Sequence, residues 1–331
     1  MLSKPWVKRI ALLLFSILFC LVILLVLESV TRVLLPEINF QDSDRALLRQ
    51  RAYGDSYGWE PNATGICFGK QVAIDEFGFR RLTAPGSYDS SWLVLGDSVA
   101  FGVGVDAEDT FVQLLQNNLP HTRVWNTSVI GYDMRNYQDT LKHFTVETEI
   151  LPRPQRVLLF ICLNDIDLQS TFEKDLSVTP FKSGYVESLL SFLRRRSKFY
   201  MFIKNVVFDR SRAYFMHDLQ LYQKRGPELS ESLAIIDNMN TSLRERSIKF
   251  TVVILPYEYQ LRKKEAQNLL PQQAFGSYFK EKGIDYIDAY EYFERAPDDK
   301  QQYFLYGDFA HFSKKGHQLV SDLLKERLKA E

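Results

Sequence analysis

The chain has 331 residues, enough for one large domain or two small ones and for a full apolar core. Lys and Arg total 41 and Asp and Glu also 41, so nothing in the charge balance calls for nucleic acid as a partner, and an aromatic content of 14% excludes a disordered chain. The three cysteines, Cys20, Cys67 and Cys162, make no disulfide framework, and the five histidines lack metal-ligand spacing, so neither a metal nor a cofactor is expected.

Lys4, Lys8 and Arg9 precede Ile10 to Leu27, an uncharged run of roughly 18 residues and about the length that crosses a bilayer core. A cleaved leader has a shorter apolar stretch and small residues at the cut. Here the run passes straight into Glu28-Ser29-Val30-Thr31-Arg32, and the bulky Phe19 before Cys20 argues against lipoprotein processing. The reading is an uncleaved single-pass anchor over residues 1–35. The leading cations put the N-terminus in the cytoplasm and the rest on the periplasmic side of the inner membrane. A buried soluble helix competes less well, because the run is apolar on every face.

The anchor helix is expected to continue to Pro36, followed by a polar connection. Residues 36–90 read as a cap or connector of short strands and turns, with Val72 to Asp75 and Glu76 to Arg80 as a hairpin or cap. From residue 91 to 331 the pattern alternates. Short apolar runs at Trp92 to Leu95, Arg123 to Trp125, Val157 to Ile161, Thr251 to Leu255 and Tyr286-Ile287 read as buried strands. Helical patterns lie near 109–119, 133–148, 228–247, 258–282 and 313–329. The alternation predicts a three-layer α/β/α, flavodoxin-like parallel sheet, whose ligand site lies beyond the carboxyl ends of the strands. Residues 166–227 interrupt it with a helical insertion mixing aromatics (Phe181, Tyr185, Phe192, Phe208, Tyr214, Phe215) and cations (Arg194 to Arg196, Lys204, Arg210). It reads either as a lid or membrane-facing surface, or as an elaboration whose aromatics pack on the core.

Four short blocks carry chemistry. Gly96-Asp97-Ser98 follows the first buried strand and places a hydroxyl at a helix start, where N–H groups and the helix dipole favour negative charge. Asn126 to Gly131 ends a strand on a glycine that allows close backbone approach and offers its N–H. Leu163-Asn164-Asp165 supplies a neutral amide donor in Asn164, with Asp165 stabilising the turn. In Asp308-Phe309-Ala310-His311, three-residue spacing lets the carboxylate reach one ring nitrogen, leaving the other to take a serine proton. His317 is the competing base, with a packing or capping role preferred. His121, His143 and His217 fit loop or surface positions without a carboxylate at such spacing.

These blocks, in this order, resemble the SGNH hydrolases, the GDSL esterase/lipase family, over roughly residues 91–331. The resemblance implies Ser98 as nucleophile, His311 as base and Asp308 as its orienting partner. It implies an oxyanion hole from the Ser98 and Gly131 N–H groups and the Asn164 side chain. Val99 and Cys162 depart from the usual pattern, and Cys162 is expected to narrow the acyl pocket. The anchored N-terminus and the Asp75 to Arg80 cap are similar to bacterial membrane-anchored members that act on acylated cell-surface glycans or lipids.

The leading expectation is a membrane-anchored serine ester hydrolase taking an acyl ester of a glycan or lipid. An O-acyltransferase using the same intermediate and a non-catalytic scaffold in a membrane assembly are the alternatives. No protein partner is named by the sequence.

Overall fold

A computed structural model describes residues 5–41, 43–84, 86–168 and 184–328. Lys4 and Phe181 lie outside them. Helix α1, Pro5–Leu34, is apolar all round from Ile10 to Leu27 and leaves those side chains exposed, so this stretch carries no stripe with which to pack on the body. At 1.5 Å per residue its 30 residues run about 45 Å, long enough to span a bilayer. It ends just before Pro36, as the sequence implies.

Two antiparallel hairpins follow, β1 (Leu48–Tyr53) with β2 (Ser56–Trp59) and β3 (Thr64–Cys67) with β4 (Lys70–Ala73). The expected 72–80 hairpin is therefore different: Val72 pairs with Gly65, and only a single bridge, Ile74 to Arg80, closes the tight turn at Asp75. Asp75 holds that turn by accepting from the Phe77 and Phe79 N–H groups.

The body is a five-stranded, all-parallel sheet ordered β6-β5-β7-β8-β9. Its strands are β5 (Ser90–Leu95), β6 (Thr122–Asn126), β7 (Arg156–Ile161), β8 (Lys249–Ile254) and β9 (Asp285–Asp288). Every residue of β7 is buried, which is what an uninterrupted apolar run in a two-sided sheet requires. The strand order reverses at β5, so the carboxyl ends of β6, β5 and β7 flank one crevice.

The covering helices are α2 (Ser98–Phe101), α3 (Phe111–Asn117), α4 (Met134–Lys142), α5 (Tyr185–Arg196), α6 (Lys198–Val207), α7 (Arg210–Lys224), α8 (Pro227–Glu245), α9 (Glu258–Arg262), α10 (Leu270–Lys282), α11 (Tyr290–Arg295) and α12 (Lys314–Leu328). The single helix expected at 258–282 is broken. Lys263 is extended, a short 3-10 turn follows at Ala266–Leu269, and Pro271 opens α10. In the insertion, Met201 and Phe215 are buried whereas Tyr185, Leu189, Phe192 and Phe208 are exposed, so the aromatics divide between core and surface.

Candidate active site

Ser98 follows β5 as the first residue of α2, and Asp97 caps that turn by accepting from the Val99 N–H at 2.9 Å. Gly96 is needed because an added Cβ would lie 2.5 Å from Ala100 Cβ and 3.3 Å from the Phe160 carbonyl. The helix is one turn long and stops at Gly102 in the left-handed conformation. Its contribution to a developing anion is thus the Ser98 N–H itself, and the dipole field expected from the sequence is small.

Block two turns back beneath α2. Asn126 Nδ2 donates to the Ala100 carbonyl at 3.1 Å, and the chain reaches Gly131 at a φ of 77° that disfavours a side chain. Among the described residues, neither the Ser98 nor the Gly131 N–H has a hydrogen-bond acceptor. Asn164 sits in the 3-10 turn after β7, where its Oδ1 accepts from Tyr257 Oη at 2.7 Å and its Nδ2 is left to donate. Asp165 stabilises this turn, accepting from the Cys162 N–H and Tyr137 Oη at 2.8 Å each.

The fourth block closes the arrangement from the far end of the chain. His311 Nε2 lies 2.8 Å from Ser98 Oγ and His311 Nδ1 lies 2.9 Å from Asp308 Oδ1. Asp308 Oδ1 also accepts from the Ala310 and His311 N–H groups at 3.1 Å each, so the turn itself fixes the carboxylate. Ser98, His311 and Asp308 are all at least nine-tenths buried. Burial alone would lower the basicity of His311, but the adjoining Asp308 carboxylate and the more distant Asp97 outweigh it and raise its pKa above the ordinary value. Burial likewise disfavours ionised Asp308, yet the imidazole beside it holds its carboxyl well below the usual range. A hydroxyl, a ring nitrogen with an open lone pair and an ionised acceptor on the other nitrogen are the parts that acyl transfer needs.

His317 is elsewhere. It is buried in α12, its Nδ1 accepts from the Phe111 N–H at 3.2 Å, and burial pushes its pKa down to about 3. Cys162 does not border an opening: it is fully buried, with its thiol 3.7 Å from Asp97 Oδ1. His217, read from the sequence as lacking a carboxylate at the Asp308–His311 spacing, has one in the next residue: its Nδ1 is 3.0 Å from Asp218 Oδ1.

Three contributors lie outside the four blocks. Arg80 is buried and donates to the Phe101, Gly102 and Val105 carbonyls, bracing the end of the Ser98 turn. Trp59 donates to the Ser128 carbonyl at 2.9 Å and stacks on Phe101 at 4.3 Å. Phe68, at the tip of the β3–β4 hairpin with a φ of 50°, packs its ring edge-on against His311 at 5.1 Å. The paired positive-φ residues Phe68 and Gly69 are the turn that a two-residue hairpin loop demands, and Phe68-Gly69 was the available sequence signal.

A doubly wound sheet carrying these groups at its switch point defines a serine ester hydrolase of the SGNH type. The chain belongs to the GDSL-like lipase/acylhydrolase family, whose model matches residues 94–319. Among solved structures it is similar to a member of the lipolytic G-D-S-L family from Veillonella parvula (12% identity, 72% of this chain and 97% of that one, TM-score 0.43). It is also similar to a lipase/acylhydrolase from Enterococcus faecalis (12% identity, 73% and 96%, TM-score 0.45). A third is a catalytic mutant of an acetylxylan esterase from Geobacillus stearothermophilus (14% identity, 72% and 94%, TM-score 0.44). No curated protein matches the chain.

Proposed function

We propose that this esterase works through a covalent acyl-enzyme with Ser98 as nucleophile, His311 as base and Asp308 as the group that orients it. The observation that carries the reading is the continuous line from Ser98 Oγ to His311 Nε2 at 2.8 Å and from His311 Nδ1 to Asp308 Oδ1 at 2.9 Å. As Oγ bonds to the acyl carbon, its proton passes to Nε2. The oxyanion is received by the Ser98 and Gly131 N–H groups and by Asn164 Nδ2. The leaving alcohol takes the proton from His311, and water repeats the cycle to free the acid. Asp308 stays ionised throughout and stabilises the imidazolium.

The proposed substrate is an acylated glycan or lipid on the extracytoplasmic side of the inner membrane, with residues 1–35 as anchor, 36–90 as cap and 91–331 as the hydrolase domain. Retention of α1 is supported by its last turns. Glu28 accepts from Ser197 Oγ at 2.8 Å and from the Lys198 and Phe199 N–H groups at 3.0 Å, capping α6, and Arg32 donates to the Arg196 carbonyl at 2.6 Å. Removal of α1 as a leader would leave those donors uncapped. Exposed Tyr185, Leu189 and Phe192, spaced on one stripe of α5 beside Arg194 to Arg196, suit an interfacial position for the insertion.

The test is fluorophosphonate labelling of the full-length protein, followed by incubation with an acyl ester with and without glycan acceptors. Labelling that Ser98→Ala abolishes, with free acid as product, is expected. Acylated glycan as product identifies a transferase instead, and a folded but unlabelled wild type a scaffold.

A further inference from the structure

The second hydrogen-bonding group of Asn164 leads away from the Ser98 site into a chain of buried polar groups that the acyl-transfer steps do not use. Asn164 Oδ1 accepts from Tyr257 Oη at 2.7 Å. The same Tyr257 oxygen lies 2.9 Å from Asp218 Oδ2, and Asp218 Oδ1 lies 3.0 Å from His217 Nδ1. Tyr257 and Asp218 are buried, whereas the His217 side chain is 69% exposed, so the line opens to solvent at its far end.

Counting protons decides how this line works. Tyr257 has a single hydroxyl proton and two oxygen neighbours. Asn164 must present Nδ2 to an oxyanion, so its Oδ1 faces Tyr257 and brings no proton of its own. The Tyr257 proton therefore goes to Asn164, and the remaining short contact is a hydrogen bond only when Asp218 Oδ2 carries a proton. Asp218 Oδ1 is then a carbonyl oxygen that accepts from His217 Nδ1–H. Every donor points the same way, and each bond polarises the next.

We propose that His217, a neutral Asp218 and Tyr257 form a one-directional donor relay that fixes the Asn164 amide with Nδ2 toward the oxyanion. They are positioning residues, acting only through Asn164, and the proposal rests on the reading of Asn164 as oxyanion donor. Loss of the Asp218 proton turns the Tyr257 O–H to the carboxylate, the stronger acceptor, and the amide then gains by rotating Nδ2 toward Tyr257, away from the oxyanion. The relay thus links esterase rate to the protonation of one buried carboxyl. Burial favours the neutral form of that carboxyl, with His217 and Tyr257 opposing, and so does the nearby Asp167. Tyr222 on the same helix and Cys162 just after β7 also lie within electrostatic reach of this group, and both stay neutral because they are buried; Asp165, itself pushed well up by burial, lies within reach of Tyr257.

The test is a double-mutant cycle on the full-length protein with a soluble short-chain ester, reading kcat and KM separately across pH. Tyr257→Phe is expected to lower kcat about tenfold or more with little change in KM, and to have no further effect in an Asn164→Ala background. Asp218→Asn, whose amide can donate to Tyr257 Oη as the neutral acid does, is expected to keep wild-type kcat at neutral pH. It should also lose the fall in kcat expected of the wild type as rising pH ionises Asp218. Additive effects of Tyr257→Phe and Asn164→Ala, or an Asp218→Asn variant that keeps that fall, would overturn the relay while leaving Asn164 its role. An Asn164→Ala variant with unchanged kcat would instead remove the oxyanion reading, and the relay with it.

Discussion

Replacing Asp308 by Asn isolates the charge of the acidic partner from its geometry. Among the described residues three donors reach Asp308, and His311 Nδ1–H, the Ala310 N–H and the His311 N–H all converge on the one oxygen Oδ1. An asparagine that keeps its carbonyl there retains all three bonds and the ring tautomer. What disappears is the negative charge that stabilises the imidazolium in the transition state. With charge centres about 4 Å apart and an effective dielectric near 20, that attraction is worth about 4 kcal/mol, or roughly 10³-fold in kcat. The pH profile supplies a second readout. The base must be neutral, and the carboxylate raises the His311 pKa, so wild-type kcat should rise with pH through a midpoint above the ordinary imidazole value. In Asp308→Asn the limb should move to lower pH. Hydrolysis of a short-chain p-nitrophenyl ester between acid and mildly alkaline pH measures both. Retention of more than a tenth of the activity, or an unmoved limb, would refute the assignment of Asp308.

Three further outcomes are expected. His317 is buried neutral with its pKa near 3, whereas the unfolded chain takes up the proton near 6.5; stability is complete above that value and falls as pH drops toward 3. His317→Gln should flatten this decline by up to about 1.4 kcal/mol per pH unit in denaturant titrations and leave kcat near wild type; a folded but inactive variant would make His317 the base. Arg80→Met strips the donors from three carbonyls around the Ser98 turn and should cost about 2–4 kcal/mol of unfolding free energy, so an unchanged melting transition would contradict its bracing role. Phe68→Gly relieves a left-handed backbone worth about 1–3 kcal/mol but forfeits a ring contact with His311 worth about 0.5–1.5 kcal/mol and the burial of a half-buried ring worth about 1 kcal/mol. These offset, so stability should change little while kcat falls several-fold, and an unchanged kcat would show that the ring does not hold His311.

What the sequence discloses about this molecule is whatever is local. A strand buried on both faces is largely apolar, so β5, β7 and β8 are visible as runs, and the turns after β5 and β7 carry Ser98 and Asn164 within a few positions. Asp308 and His311 are legible for the same reason, being three residues apart in one turn. Arg80, Phe68 and Tyr257 are not, because each acts on a residue far along the chain: Arg80 on the end of the Ser98 turn, Phe68 on His311, Tyr257 on Asn164. Their sequence surroundings carry no spacing that marks such partners. The break in the 258–282 helical pattern is a gentler failure, since periodicity survives a 3-10 turn that redirects the chain.

The insertion is where local and distant reasoning meet. Its composition names no ligand, yet its contacts tie the two ends of the molecule together. Glu28 at the end of α1 caps α6, and Asn205 in α6 donates at 3.4 Å to the Tyr306 carbonyl, two residues before Asp308. From α7, Tyr214 stacks flat on Phe309 at 4.5 Å, between Asp308 and His311 in sequence. The loop that holds the base is therefore braced by α6, whose first N–H donors are satisfied from α1, and by α7, which Asp209 caps. A chain cut before residue 28 keeps that cap, whereas one cut after residue 32 leaves the α6 donors to water and loosens the support beneath His311. The last turns of α1 belong to the fold that positions the site, whatever the apolar turns before them are embedded in.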